Sequence, residues 1–155
     1  MDSSNYLKGV GGWLKLLVLG LCIFGPLISC GQNANDFARA EASNPSLAGL
    51  ESWQSFKTYS NWALLLSLSI TFSAGYRLWK IHTPESVNFA IAAMWIAAPA
   101  SVLLQVGAAY LSIGLDALRE AAPEMISGVV RGWIVAFVWT MYLLKSRRVR
   151  NTYYS

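Results

Sequence analysis

One stretch constrains the fold of this chain more than any other: residues 87–115 contain no Asp, Glu, Lys or Arg. A helix over these residues would be about 43 Å long, more than a bilayer's hydrocarbon core of about 30 Å requires. Only 12 basic and 8 acidic side chains occur among 155 residues, and 55% of the chain is hydrophobic. That charge density is about half of what a soluble domain carries. The pattern predicts an integral membrane protein and excludes a soluble globule, a disordered chain and a disulfide-stapled secreted scaffold.

Apolar, charge-poor runs locate four transmembrane helices, because a charged side chain at the bilayer centre costs several kcal/mol. They cover about residues 13–30, 62–80, 86–114 and 126–145. Trp13 and Lys15 read as interfacial anchors, and Thr83-Pro84-Glu85 is a helix-start signal. Pro99 removes a backbone donor, which predicts a bend in the third span. The predicted fold is all-α, an integral membrane four-helix bundle in which residues 1–155 form a single membrane domain.

The basic residues are divided unevenly between the two sides of these spans. Eight of the twelve fall on the side that holds both termini, including Lys145, Arg147, Arg148 and Arg150, while six of the eight acids fall on the other. The positive-inside rule then places both termini in the cytoplasm. We expect the basic groups on that side to lie near anionic lipid headgroups.

The segment from Cys30 to Asn61 is predicted to be the largest water-exposed connection. Within it Leu47, Leu50, Trp53 and Phe56 follow the helix-start signal Asn44-Pro45, so we expect a short interfacial helix there, or a lid packed on the bundle.

A different interpretation of the N-terminus stays open. Leu27-Ile28-Ser29-Cys30, preceded by basic residues and an apolar run, resembles a lipoprotein signal that would be cleaved at a lipidated Cys30. That cleavage would remove the first span and leave three. Because the sequence begins at Met1, we expect the first span to be retained instead.

Small residues recur at every fourth position in three spans and therefore lie along one face of each helix. The sets are Ser67, Thr71 and Gly75; Ala93, Ala97 and Ser101; and Gly128, Gly132 and Ala136. Such faces let helix backbones approach closely. Packing within the bundle is favoured over a dedicated dimer interface.

Arg131 is the only charged residue well inside a predicted span. A charge at that depth needs a partner and marks a structural or functional site. The candidate partners are Glu124, Glu120, Asp116 and the amide of Gln105. An ion pair is favoured over a substrate-binding arginine, since no second intramembrane charge exists to form a relay.

No residue pattern indicates catalysis or a cofactor. His82 is the sole histidine, and Cys22 and Cys30 lie about 12 Å apart along one helix, so zinc ligation and a bond between them are both excluded. Phosphate-binding and nucleophile motifs are absent. We therefore predict no catalytic, cofactor-binding or metal residues, no cofactor and no nucleic-acid partner.

Two segments near the chain ends resemble domain-of-unknown-function family 2569, whose members are small four-span proteins of the bacterial inner membrane. One is Gly11-Gly12-Trp13-Leu14 leading into the first span. The other runs from Arg131 to Tyr153, and its motif residues are Trp139, Tyr142, Ser146, Arg148 and Thr152. The resemblance implies the four-span layout and no particular reaction.

Two functions fit these features. The first is a non-enzymatic accessory or interaction protein, which would contact the bilayer and either a homo-oligomeric copy or a membrane-protein partner. The second is a small oligomeric transporter or channel, with a polar site near Arg131 and Gln105 beside the Pro99 bend.

Overall fold

The computed structural model describes residues 9–112 and 115–154, apart from the side chains of residues 98, 108, 111, 112, 115–122, 124 and 125. Within these residues the chain is helical and has no strand. The helices are α1 (Trp13–Leu19), α2 (Gly25–Ser43), α3 (Glu51–Lys80), α4 (Pro84–Ser112), α5 (Leu115–Lys145) and α6 (Arg147–Tyr153). The predicted all-α fold is therefore confirmed.

The first helix is longer than its apolar part. A π-helical segment, Gly20–Phe24, joins α1 to α2, so the helix runs without a break from Trp13 to Ser43 rather than ending near residue 30. A Cβ on Gly25 would lie 2.7 Å from the carbonyl oxygen of Gly20, so a glycine fits this wide turn best. The expected long loop is therefore mostly helix.

The expected interfacial helix is corrected to a single 3-10 turn, Pro45–Gly49. Leu50 adopts an extended backbone, and α3 begins directly after it. Trp53 and Phe56 consequently belong to α3. They pack against Phe37 of α2, with ring centroids 5.9 and 6.1 Å from that of Phe37. The apolar stripe therefore covers a neighbouring helix.

We call this side of the bundle, where α2 turns into α3, the loop end. Glu41 organises it by accepting hydrogen bonds from Trp53 Nε1 at 2.8 Å and from Lys57 Nζ at 2.7 Å. Asn33 donates to Asn61 across the same pair of helices at 2.9 Å. These contacts join α2 and α3 through polar groups.

The opposite side, where α6 and the start of α1 meet the α3–α4 turn, is called the terminal end. Here α4 begins at Pro84, as predicted, and Ser86 N donates to Thr83 O at 3.0 Å. Further along α4, the segments 84–97 and 99–107 meet at about 40°, which confirms the bend predicted at Pro99.

The described apolar core lies near the terminal end. It is formed by α1, the last turns of α3, the first turns of α4, the second half of α5, and α6. Its fully buried large side chains are Leu14, Val18, Leu78, Val87, Leu143 and Val149. The five helices are therefore tied together on one side of the bundle.

Two described helices are long and apolar enough to cross a membrane, Trp13–Ser43 and Ile126–Lys145. The bent α4 pair makes a third if it is one span. The predicted second span, in α3, is not among them, because Arg77 together with the serines and threonine at positions 67–73 lowers its mean hydropathy. The chain has the features of a membrane protein with two or three such spans.

The end of α1 and the π-helical segment approach α3 closely at Gly75. A Cβ added to Gly75 would overlap Cys22 Sγ, and it would lie 3.1 Å from Leu21 Cβ and 3.5 Å from Val18 O. Cys22 Sγ also lies 3.9 Å from the Phe72 carbonyl. The predicted small-residue face of α3 thus packs against the first helix.

We expect Gly75→Ala to lower the unfolding free energy by about 1–3 kcal/mol, because the added methyl overpacks this contact. Cys22→Ala in the same chain should restore part of the loss by removing the overlapping sulfur. Thermal unfolding in detergent measures both. Gly107→Ala is the control, since nothing lies within 4 Å of that site; equal effects at the two glycines would contradict the close contact.

Candidate functional site

The small-residue faces of three helices are packed near the terminal end and open towards the loop end. Gly75, Ala93 and Ala136 are buried. Other members of the same three faces, Ser67 and Thr71, Ala97 and Ser101, and Gly128, line an open crevice of about 600 Å³. That volume lies within the range of small-molecule sites. The small-residue faces, which were predicted to pack within the bundle, therefore do so over part of their length.

Helix α2 supplies the most polar wall of the crevice. Ser29, Gln32, Asn33 and Asp36 all line it. Their spacing places them on one helix face, over about two turns. Asn33 is held by its hydrogen bond to Asn61. Deeper in the crevice, α2 gives way to the π-helical segment, where Gly20 and Leu21 form part of the wall.

Ser67 and Thr71 of α3 form a second polar wall. Thr71 Oγ1 lies 3.3 Å from Ser67 O and 3.1 Å from Leu68 O, so its hydroxyl hydrogen is used within its own helix. A hydroxyl bonded in this way still has lone pairs that can accept from a ligand. Ser69, two residues along, is exposed and lies outside the lining.

The structure separates the two central residues of the predicted polar site. Gln105 lines the crevice with Ser101, on the α4 segment that follows the Pro99 bend. Arg131 has an exposed side chain and is not part of the lining. The side chains of Asp116, Glu120 and Glu124 lie outside the described residues, so the predicted ion pair remains a prediction.

Sequence reasoning missed the polar face of α2, because residues beyond Cys30 were assigned to a loop. The i, i+3, i+4, i+7 spacing of Ser29, Gln32, Asn33 and Asp36 was a usable signal for it. Among the described residues, no three His, Cys, Asp or Glu side chains meet as metal ligands would.

A second arrangement joins the chain ends; we call it the terminal clasp and define it as residues 9–12, Leu78 and α6. Thr152 Oγ1 accepts from Gly9 N at 2.9 Å and donates to Arg148 O at 2.8 Å. The Arg148 guanidinium lies so close to Gly11 that a Cβ there would overlap it. Gly12 has φ +57°, a conformation that favours glycine.

Tyr153 completes the terminal clasp from the buried side of α6. Its hydroxyl donates to the Leu78 carbonyl, one of the last carbonyls of α3 and so without a partner inside that helix. Its ring lies 5.6 Å from that of His82. Burial, together with the neighbouring Tyr142 hydroxyl, raises the pKa of Tyr153 to about 12.

The residues of the terminal clasp come from both ends of the chain, and a known protein family matches the chain at both ends. A family model described as "Protein of unknown function (DUF2569)" matches residues 7–154. The chain belongs to the DUF2569 family. No curated protein and no solved structure matches it.

The terminal clasp brings together the two segments that resembled DUF2569 in the sequence. Arg148 and Thr152 contact the Gly9–Gly12 segment, and the Ser146 carbonyl accepts from Arg150 N at 3.1 Å at the start of α6. Trp139 packs edge-to-face on Tyr142, with ring centroids 5.8 Å apart. Trp13 is exposed, as an interfacial anchor would be. In this DUF2569 protein, Arg148 and Thr152 make the contacts that join α6 to the Gly9–Gly12 segment.

The Tyr153–Leu78 bond predicts a pH-dependent stability. At neutral pH, Tyr153→Phe should lower the unfolding free energy by about 1 kcal/mol, because a buried carbonyl loses its donor. The folded protein holds the Tyr153 proton up to a pKa of about 12, whereas the unfolded chain releases it near the ordinary value of 10.0. Stability from this group is therefore present below pH 10 and is lost as the pH rises towards 12.

Thermal unfolding of the wild type and Tyr153→Phe between pH 7 and pH 12 measures the effect. The gap between the two proteins should narrow above pH 10, and a gap that stays constant would contradict a buried, protonated Tyr153.

Proposed function

We propose that this DUF2569 chain is a four-span protein of the bacterial inner membrane with both termini in the cytoplasm. The division of charge supports that orientation, since eight of the twelve basic residues belong to the side with the termini. Helices α1–α2, α4 and α5 supply three spans, and α3 is the fourth.

The hydrogen bonding of α3 supports its place in the membrane despite its modest hydropathy. Ser69 Oγ donates to Leu65 O at 2.8 Å, and Ser73 Oγ donates to Ser69 O at 2.7 Å. A hydroxyl bonded to its own helix avoids most of the penalty of an unsatisfied polar group in lipid. At 30 residues, α3 is also about 45 Å long, enough to cross a bilayer.

Alkaline phosphatase fusions test this topology, because the enzyme is active only outside the cytoplasm. We expect a fusion after Leu50 to be active and fusions after His82 and Tyr154 to be inactive. A fusion after His82 as active as the one after Leu50 would contradict a membrane-spanning α3.

Within this topology, we propose that the protein binds small polar solutes non-enzymatically in the crevice and passes them across the membrane as an oligomer. The observation that carries the proposal is an open crevice of about 600 Å³, lined in part by polar side chains, between helices that this topology places at membrane depth. Polar side chains at that depth usually face a cavity or a solute pathway. Gln105 adds an amide to the wall, and two of the helices that form it depart from regular α-helix, one at the π-helical segment and the other at the Pro99 bend.

The small residues of the same crevice support a second function. In it, the chain is a non-enzymatic accessory protein that binds a partner's transmembrane helix. Gly20, Gly25, Ala97 and Gly128 line the crevice beside hydroxyl and amide groups. Small residues allow close helix approach, and Ser, Thr, Asn and Gln form hydrogen bonds across transmembrane helices. A helix seated there would extend the packing already made by Gly75 and Ala93.

Ser67→Trp and Ser69→Trp distinguish these functions, because the first substitution fills the crevice and the second lies outside its lining. Liposomes containing the wild type should take up choline, urea or glycerol faster than protein-free liposomes, as measured by stopped-flow light scattering. Ser67→Trp should abolish the increase and Ser69→Trp should retain it.

No uptake of any of these probes by the wild type would count against transport. The accessory function then requires a protein that co-purifies in stoichiometric amount with the wild type and Ser69→Trp but not with Ser67→Trp. Absence of both results would contradict a role for the crevice.

A further inference from the structure

Among the described residues that line the crevice, Asp36 alone carries a charge. It lies on the polar face of α2, on the side of Gln32 and Asn33 nearer the loop end, and its side chain is exposed. The other polar groups of the described lining are amides and hydroxyls, and none of its residues is Lys, Arg or His. The formal charge of the described crevice is therefore negative.

The basic residues that follow lining residues closely in the sequence do not neutralise the negative charge of Asp36. Arg39 follows Asp36 by three residues, and Arg131 follows Gly128 by three, yet neither lines the crevice. The only ion pair in the described part of the chain joins Lys57 to Glu41. Asp36 therefore has no ion-pair partner among the described residues.

An exposed carboxylate in the lining of a crevice acts on the charged solutes that enter it. Low-dielectric walls focus its field, which raises the local concentration of cations and lowers that of anions. In the same lining, the Gln32 and Gln105 amides and the Ser67 hydroxyl offer oxygens that can accept hydrogen bonds from an ammonium or hydroxyl group. The Asp36 carboxylate would repel an anion, and no cationic side chain in the described lining would offset that repulsion.

We infer that the crevice takes small, cationic, hydrogen-bonding solutes in preference to anions, and that Asp36 sets this preference. The inference rests on the proposed solute-binding function, because it requires water and solutes to enter the crevice. It adds the class of solute and the residue that selects it.

Charged thiol reagents test the inference without a known ligand. The background is the full chain with Cys22→Ala and Cys30→Ser, purified in a neutral detergent, with a reporter thiol introduced by Ser67→Cys. Methanethiosulfonates with a trimethylammonium, a sulfonate or a neutral hydroxyethyl group are compared at low ionic strength. Their rates are normalised to those with free 2-mercaptoethanol. Ser69→Cys is the matched thiol outside the crevice.

At Ser67→Cys we expect the cationic reagent to react about tenfold faster than the anionic one after normalisation. Asp36→Asn should bring the normalised ratio close to one, while Arg131→Gln should leave it unchanged. Ser69→Cys should react slowly with all three reagents. Unchanged thermal unfolding of each variant shows that the fold is retained.

Three results would overturn the inference, and they differ in what they mean for the proposed function. Equal cationic and anionic rates, with rapid neutral modification, would leave the crevice as a solute site without charge selection. An anion preference that Arg131→Gln removes would assign selection to Arg131. No modification by the neutral reagent would mean that water does not enter, and the solute-binding function would fail as well.

Discussion

The close packing of small residues near the terminal end is the constraint on which the rest of this structure depends. At Gly75 the absence of a side chain lets α1 lie against α3, and Ala93 and Ala136 are buried on the corresponding faces of α4 and α5. Lipid chains are as apolar as leucine, so helices in a membrane associate through close contact and polar bonds rather than through exclusion of water. Because this contact is concentrated at one end, the same faces can separate towards the other end and form the crevice.

The terminal clasp reinforces the packed end with hydrogen bonds between segments far apart in sequence. Thr152 bonds to Gly9, and Tyr153 bonds to a carbonyl at the end of α3. These contacts hold α6 against the bundle while Arg147 and Arg150 stay exposed. The residues that carry the DUF2569 resemblance thus include the clasp's bonding groups, whereas the crevice is formed mainly by α2 and the middle of α3 and α4. A family signature can therefore mark a structural joint rather than a binding site.

Several features of the fold were predictable because they depend on local chemistry. The start of α4 follows from Thr83-Pro84-Glu85, and the α4 bend follows from the backbone donor that Pro99 lacks. The small-residue faces were visible from their spacing of four. Local sequence could not indicate how far along each face the neighbouring helix stays in contact, because this depends on tertiary packing.

The sequence predictions that were wrong also have physical causes. Residues 31–43 are polar for a transmembrane helix, yet they continue α2, since polarity argues against lipid contact and not against helix formation. The aromatic stripe of Trp53 and Phe56 indicated an interfacial helix, but its partner is Phe37. For the candidate site, Gln105 lines the crevice and its role there remains a prediction, while Asp36 was missed with the rest of α2.

In the proposed arrangement, α3 contacts water, lipid and protein at different positions. The most direct test places a spin label at Ser67, Ser69 or Ala74, one position at a time, in protein reconstituted into lipid bilayers. The collision rates of each label with a water-soluble nickel chelate and with oxygen are then measured. We expect high nickel accessibility at position 67, high oxygen accessibility at position 69, and low accessibility to both at the buried Ala74. If the label at position 67 were as inaccessible to the nickel chelate as the label at position 74, the result would contradict an open crevice.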